Sequence, residues 1–244
     1  MSGSLPPPVD RVGPTRRPPT ATRGYQRWRS LLFLHWPVSA AALRPLVPSS
    51  LELDLHHGQA FVGVVSFVMQ GVRPRWLPAA LAWEFLETNV RTYVLYGNQP
   101  GVYFFSLDAS SRLAVWTARQ CWGLPYFHAD MNVRGAGDEI QYQSRRRQTG
   151  QRHFVRYRPG ELLGPAVPDT LEFFLLERYL MFVPWRGAIL TGQVHHRPYP
   201  AQRVELLEVK DQLVQAAGLP SCQAPPAWAH YAAGVDVDIY SLRR

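Results

Sequence analysis

The chain has 244 residues, of which 46% are hydrophobic and 12% aromatic, which is enough for one large domain with a packed core and excludes a disordered protein. Its formal net charge of +8 comes from 25 arginines and a single lysine, Lys210, a ratio that coding bias explains more simply than selection for a nucleic-acid partner. The longest nearly apolar run, residues 61–69, is about half as long as a membrane-spanning helix requires.

The N-terminal segment is rich in proline and arginine and has no apolar run of the kind found in signal peptides. Residues 1–24 are therefore predicted to be a disordered extension, and residues 25–244 a single domain. The two cysteines, Cys121 and Cys222, follow no disulfide or metal spacing. This favours two buried thiols in a reducing compartment, and so a cytoplasmic protein.

The first half of the domain is predicted to be mostly strand. Residues 31–36 predict a strand, after which Ser39 is placed to cap a short helix that ends near Leu43. Residues 61–69, 86–96 and 102–107 are rich in Val, Phe, Tyr and Thr and are separated by turn residues. They predict three consecutive antiparallel strands.

A helix and a hairpin follow. Two serines precede residues 112–122, which have helical periodicity, and Gly123 and Pro125 would end that helix. A strand begins at Tyr126. Residues 140–147 and 152–157 flank a Gln-Thr-Gly-Gln turn and predict a hairpin.

The last third returns to short elements. Asp169 followed by Glu172 predicts a capped helix over residues 170–182, which ends before Pro184. Strands are predicted near residues 192–197, 204–209 and 235–240, with a short helix over 211–217. About ten strands and three or four short helices predict a β-dominated α+β domain.

One predicted strand has a continuous polar face. Glu87, Asn89, Arg91 and Tyr93 share this face because side chains alternate along a strand. The face either meets water or lines an internal cavity, where Arg91 would suit a ligand carboxylate. At about 3.3 Å per residue, Glu87 and Arg91 are about 13 Å apart, too far for a salt bridge. A buried Glu87 is expected to have a raised pKa and to be able to act as a general acid or base.

The strand that begins at Tyr126 carries a second candidate. Tyr126, His128 and Asp130 share one face, opposite Phe127. Asp130 could fix the tautomer of His128, which would make this histidine an acid or base, although most histidines in strands are structural or solvated.

Signatures of cofactor and metal sites are missing from the sequence. Adjacent strand residues point to opposite faces, so neither His56 with His57 nor His195 with His196 is expected to hold one metal ion. The chain has no P-loop, no dinucleotide fingerprint and no serine nucleophile elbow. We therefore predict no cofactor and no metal.

The predicted hairpin is strongly basic. A basic run can grip phosphates, but it more often forms a solvated sheet face or protects an edge strand. Because aromatic residues are not interleaved as in single-strand binders, nucleic-acid binding is the less favoured interpretation. The arginines concerned are Arg145, Arg146, Arg147, Arg152, Arg156 and Arg158.

Several ordered motifs resemble the YqjF-like family, a group of uncharacterised bacterial proteins with a domain of unknown function. The resemblance covers nearly everything after the N-terminal extension. The motifs are LLFLHWPV at residues 31–38, LRPLVP at 43–48, NVRTYV at 89–94, PGVYFFSLDA at 100–109, PYF at 125–127, ERY at 177–179, VHHRP at 194–198, HY at 230–231 and GVDV at 234–237.

That family in turn is similar to the acetoacetate decarboxylase-like superfamily, which implies a conical or closed antiparallel sheet around a mostly apolar cavity. The similarity rests on residues 48–51, on Phe-Leu-Glu ending at Glu87, and on Trp-Gly-Leu-Pro at 122–125. Glu87 stands at the place of a cavity glutamate, but Tyr126 and Phe127 stand where two lysines are expected. Neither ring can form an imine, so Schiff-base decarboxylation is not expected.

These observations predict a protein that binds a small carboxylate- or carbonyl-bearing ligand without a covalent lysine. Glu87, Asn89 and Arg91 would orient its polar end and Tyr126 would donate a hydrogen bond, while Phe127, Trp122 and Phe105 would pack nearby. The first alternative is a non-covalent acid/base enzyme of decarboxylase, hydratase or isomerase type that uses Glu87 or His128. The second is an arginine-mediated nucleic-acid interaction protein. A homo-oligomer is left open, and Lys210 is expected to be exposed.

Overall fold

The computed structural model describes residues 8–219 and 224–244. Within these ranges the chain forms twelve strands and four α-helices. The strands are β1 (Gly24–Val38), β2 (Glu52–Leu53), β3 (Ala60–Pro74), β4 (Trp83–Tyr96), β5 (Gln99–Ala109), β6 (Tyr126–Ala136), β7 (Glu139–Arg146), β8 (Arg152–Gly164), β9 (Leu180–Trp185), β10 (Ala188–His195), β11 (Ala201–Asp211) and β12 (Trp228–Ile239). The helices are α1 (Ala40–Leu43), α2 (Arg112–Trp122), α3 (Leu171–Leu176) and α4 (Leu213–Ala216). None of these helices has the length and apolar character needed to cross a bilayer.

All twelve strands belong to one sheet, and two additional strand pairings close this sheet into two rings. Its order is β10-β9-β5-β6-β7-β8-β11-β12-β1-β3-β4-β2, and β4 also pairs with β5 and β10 with β12. A smaller ring therefore consists of β1, β3, β4, β5, β9, β10 and β12. A larger ring consists of β1, β3, β4, β5, β6, β7, β8, β11 and β12. The two rings share five strands, whose opposite faces point into different interiors.

The shared strands explain the long apolar runs of the sequence. Every residue in 31–36 of β1, 60–67 of β3 and 87–94 of β4 is buried. A strand with both faces buried loses the alternation of apolar and polar residues that marks a half-exposed strand. The larger ring is filled by an apolar core that includes Leu32, Leu34, Val64, Val90, Tyr142, Val155 and Tyr157.

Several predicted elements are confirmed. β3, β4 and β5 pair antiparallel in sequence order, and β7 and β8 form the hairpin. Helix α2 has the predicted bounds: the Ser111 hydroxyl accepts a hydrogen bond from the backbone N–H of Ala114, and Gly123 ends the helix at φ 62°.

The prediction for one helix is wrong. The helix predicted for residues 170–182 ends at Leu176, its cap is Thr170 rather than Asp169, and residues 180–185 form β9. Here pairing with β10 overrides helical periodicity, and Pro184 lies within the strand. The sheet is mostly antiparallel, as predicted, and β5 pairs parallel with β6 and β9. Helix α2 is the crossover that a parallel β5–β6 pair requires.

The expectation of buried cysteines fails for Cys121, which is exposed on α2, while Cys222 lies outside the described residues. The segment before β1 contacts the domain: Arg11 forms an ion pair with Asp54 and Arg17 with Asp238, each at 2.6 Å. The division of the chain at residue 24 stays a prediction.

Candidate functional site

The smaller ring encloses a cavity of about 150 Å³, to which all seven of its strands contribute. Its wall is largely apolar, with Leu31, Phe33, Val65, Phe67, Met69, Val102, Phe104, Leu107 and Val194 among the lining residues. A cavity of this size holds a molecule of about six non-hydrogen atoms, since an apolar cavity of similar volume accommodates benzene. The polar residues on this wall decide what kind of molecule fits.

The carboxyl group of Glu87 lies in the wall of the cavity. Glu87 is 3% exposed, and one of its oxygens, Oε2, accepts a hydrogen bond of 2.7 Å from the hydroxyl of Tyr126. Burial raises the pKa of Glu87 to about 7, although hydrogen bonds from Tyr126 and Asn89 favour the ionised form. Burial, and then the nearby Glu87 charge, raise the pKa of Tyr126 well above its ordinary value. Tyr126 thus keeps its proton, while Glu87 gains or loses one near neutrality.

A buried cation, the guanidinium of Arg91, lies on β4, the strand that also carries Glu87. Arg91 donates from Nη2 to the carbonyl of Leu175 at 3.1 Å, and its guanidinium lies 5.6 Å from the ring of Phe33 and 5.7 Å from that of Tyr93. Among the described residues no carboxylate is within ion-pair distance of Arg91. The Nε of Arg91 and the Oδ1 of Asn89 also have no hydrogen-bond partner there. An uncompensated buried guanidinium is costly, so this site favours an anion.

Further polar residues that periodicity did not single out also line the cavity, among them Arg178, Tyr179 and Tyr199. Arg178 differs from Arg91 because it forms an ion pair at 2.7 Å with Asp54, a carboxylate that it shares with Arg11. Arg178 and Tyr179 lie in the segment that was predicted to be a helix. The sequence of this segment lacks the alternation of polar and apolar residues that indicates a strand facing a cavity. The signal that could have found them is the Glu-Arg-Tyr motif at 177–179.

Of the predicted aromatic contacts, Trp122 lines the cavity and Phe105 does not. A β-bulge explains the miss: Val90 pairs with Ser106 but Arg91 pairs with Phe104, so Phe105 is an extra residue. The bulge reverses the alternation, which turns Phe104 toward the cavity and Phe105 toward the core of the larger ring.

Phe127 and His128 also lie away from the cavity. The ring of Phe127 packs against the guanidinium of Arg146, 4.1 Å away. His128 is not among the lining residues. Its expected partner Asp130 instead forms an ion pair with Arg147 at 2.6 Å. Of the candidate residues on β6, only Tyr126 therefore lines the cavity.

One of the two histidine pairs converges where divergence was expected. A left-handed backbone at His57, φ 47°, brings the rings of His56 and His57 to 4.4 Å. Within residues 8–219 and 224–244 no three His, Cys, Asp or Glu side chains are grouped as metal ligands. Lys210, the one lysine of the chain, is 76% exposed, contacts Glu208 and is not among the residues that line the cavity.

Carboxylates neutralise most of the basic hairpin. Arg146 is buried in an ion pair with Asp108 at 2.8 Å, and Arg147, Arg156 and Arg158 pair with Asp130, Glu139 and Glu205. Arg145 and Arg152 have no such partner among the described residues. This arrangement favours a solvated, charge-paired sheet face over a phosphate-binding surface.

Comparisons with known proteins agree with this architecture. The sequence profile of the DUF2071 family, described as an uncharacterized conserved protein, matches residues 25–236. YqjF of Bacillus subtilis (strain 168), itself described as uncharacterized, is 41% identical over 221 residues, which is 90% of this chain and 91% of YqjF.

Solved structures share the fold at low sequence identity. The enduracididine biosynthesis enzyme MppR, in complex with a condensation product of pyruvate and imidazole 4-carboxaldehyde, superposes with a TM-score of 0.62 at 10% identity, covering 92% of this chain and 90% of MppR. An acetoacetate decarboxylase-like enzyme from Sphingomonas wittichii RW1 gives 0.62 at 11% identity, covering 92% and 94%. Acetoacetate decarboxylase from Legionella pneumophila gives 0.58 at 11% identity, covering 99% of each chain. The domain therefore has an acetoacetate decarboxylase-like fold.

Proposed function

The chain belongs to the DUF2071 family, and from its cavity we propose that it binds a small organic carboxylate non-covalently. One observation carries the proposal: Arg91 is a buried cation on the wall of a cavity of about 150 Å³ and has no carboxylate partner among the described residues. A ligand carboxylate would supply the missing charge and accept guanidinium hydrogen bonds.

The remaining polar residues favour a second oxygen on the ligand. The hydroxyl of Tyr126 already donates to Glu87, and below about pH 7 Glu87 carries a proton of its own that it can donate to a carbonyl or hydroxyl oxygen of the ligand. The apolar residues around them would pack against a short carbon chain. The ligand class is thus a carboxylic acid of about six heavy atoms with a carbonyl or hydroxyl group.

Calorimetric titration tests this proposal with matched probes. Acetoacetate carries both groups, whereas acetone lacks the carboxylate. We expect acetoacetate to bind at least roughly tenfold more tightly than acetone, and Arg91→Met to remove the difference, because a charged hydrogen bond is lost. Affinity for acetoacetate should fall above pH 7 as Glu87 ionises beside it, and Glu87→Gln should not show this fall.

The control is Lys210→Arg, which should leave binding unchanged. Borohydride treatment with acetoacetate should add no mass to the protein, because the cavity lining contains no amine that forms an imine. Equal affinity of the wild type and Arg91→Met for acetoacetate would contradict the proposal, as would a reduced adduct at Lys210.

The second candidate is an acid/base enzyme that uses the same cavity. The observation that favours it is the pKa of Glu87, about 7, which suits proton transfer at neutral pH. Exchange of the protons next to the acetoacetate ketone in D₂O, followed by NMR, tests it. An enzyme would be supported if the protein raised the exchange rate above that in buffer and if Glu87→Gln abolished this increase while still binding acetoacetate. Identical exchange rates with and without protein would exclude this proton transfer.

A further inference from the structure

A second concave surface, which we call the arginine groove, runs along the first half of β1, the second half of β12 and residues 195–200. Its volume is about 1240 Å³, much larger than the cavity. Five guanidinium side chains line it, those of Arg17, Arg27, Arg29, Arg73 and Arg197. None of them belongs to the basic hairpin of the sequence analysis.

Only part of this charge is neutralised. Arg17 pairs with Asp238 and Arg29 with Asp236, and these two aspartates are the acidic residues that line the groove. Among the described residues no carboxylate is within ion-pair distance of the other three: Arg27, Arg73 and Arg197. Three unpaired guanidinium groups in one concave surface favour a multiply charged anion.

Three of the arginines pack against glycines or an aromatic ring. A Cβ atom at Gly71 would come within 2.9 Å of the Nε of Arg27, and one at Gly234 within 2.6 Å of the Cδ of Arg29. At Gly71 the backbone is also left-handed, with φ 60°, and a Cβ atom at Gly234 would lie 2.6 Å from the backbone carbonyl oxygen of Trp28, so both positions suit glycine. The guanidinium of Arg73 lies 4.6 Å from the ring centre of Tyr25 and donates to the carbonyl of Leu77 at 3.1 Å. Side chains that are already oriented lose less entropy when they bind a ligand.

The groove adjoins the cavity. Gln26 lines both, and its Oε1 accepts a hydrogen bond of 2.8 Å from the indole of Trp28, which also lines the cavity. A ligand in the groove therefore lies beside the proposed binding site of a small organic acid. This position favours a small molecule over a nucleic-acid strand, an argument that rests on the proposed function.

We propose that the arginine groove is a second binding site, which takes the phosphate or diphosphate group of a small soluble molecule. The planar guanidinium fork matches the oxygens of a phosphate, and three unpaired cations balance the charge of a diphosphate better than that of a monocarboxylate.

Calorimetric titration with inorganic pyrophosphate tests this site directly. We expect Arg27→Ala/Arg197→Ala to weaken binding roughly tenfold or more, because two charged contacts are removed. The matched control is Arg145→Ala/Arg152→Ala, which removes two unpaired arginines from the hairpin and lowers the net charge equally; it should change affinity less than about twofold. Arg91→Met should leave pyrophosphate binding intact, which separates this site from the cavity.

Three results would overturn the proposal. One is the absence of pyrophosphate binding by the wild type at low salt. Another is an equal loss in the two double variants, which would show a general effect of net charge. The third result concerns a single-stranded oligonucleotide. If the protein bound it far more tightly than pyrophosphate, and if Arg27→Ala/Arg197→Ala lost this binding, the groove would be a nucleic-acid surface instead.

Discussion

Glu87 shows how its surroundings give an ordinary side chain unusual chemistry. A carboxyl group in water is ionised at neutral pH, but in the wall of an apolar cavity its charged form loses solvation. The hydroxyl of Tyr126 compensates part of this loss, and the pKa remains near 7. The cost of ionisation is therefore present in the folded state and absent in the unfolded state, which links stability to pH.

Glu87→Gln should change the pH dependence of stability. The pKa of Glu87 rises from 4.5 to about 7 on folding. Between these values the folded state binds more protons than the unfolded state, so the free energy of unfolding falls as the pH rises. The full effect is at most about 3 kcal/mol. Denaturant unfolding from pH 4 to 8 should show the variant equal to the wild type near pH 4 and more stable at pH 8.

The control for this measurement is Glu161→Gln, since Glu161 is 75% exposed and should follow the wild-type curve. If Glu87→Gln and the wild type lose stability in parallel between pH 5 and 8, then Glu87 is solvated and the cavity interpretation is wrong.

At the scale of elements, the turn after α2 is tied to β9 by close packing. Gly123 ends α2 in the left-handed conformation, and a Cβ atom there would lie 2.4 Å from the ring of Trp185. Leu124 and Tyr126 follow directly and line the cavity. The Trp-Gly-Leu-Pro turn thus positions one wall of the site, and its glycine is required by both conformation and space.

Gly123→Ala should be markedly destabilising. The left-handed conformation costs a non-glycine residue about 1 to 2 kcal/mol, and overpacking against Trp185 adds about 1 to 3 kcal/mol. Gly150→Ala, also at positive φ but with nothing within 4 Å, should show only the first cost. Chemical denaturation of both variants measures the difference, and Trp185→Leu in the Gly123→Ala background should recover part of it. Equal losses for the two glycines would contradict the packing argument.

For the whole molecule, the two rings make the shared strands its most protected part. β1, β3 and β4 are buried on both faces, whereas the far ends of β6 and β7 are largely exposed. Local opening at a strand end exposes little apolar surface, while opening of β3 or β4 disrupts both interiors at once.

Hydrogen exchange should reveal this difference. We expect amides in residues 60–67 and 87–94 to exchange orders of magnitude more slowly than those in 133–141, because only global unfolding releases them. Mass spectrometry of peptic fragments measures the rates, with unfolded protein as the reference. Similar protection in the two regions would show that the shared wall is not the stable unit of the fold.

Local signals determined a large part of this architecture. Helix α2 has the bounds that its cap and its glycine predict, and β3, β4 and β5 follow from composition and turns, because these signals act between residues close in sequence. The polar face of β4 was also visible, since Glu87, Asn89 and Arg91 alternate with apolar residues. The resemblance also predicts that Tyr126 and Phe127 stand where the similar superfamily carries two lysines.

Long-range pairing settled the rest. The bulge at Phe105 is a feature of the pairing between β4 and β5, and no local pattern marks it. Residues 180–185 become β9 because partners in β5 and β10 are available, although their own periodicity favours a helix. Arg178 lines the cavity, and three arginines without a carboxylate partner among the described residues line the groove, because distant strands meet there. Charge balance and cavity shape depend on neighbours far apart in sequence, and their positions emerge only when both rings close.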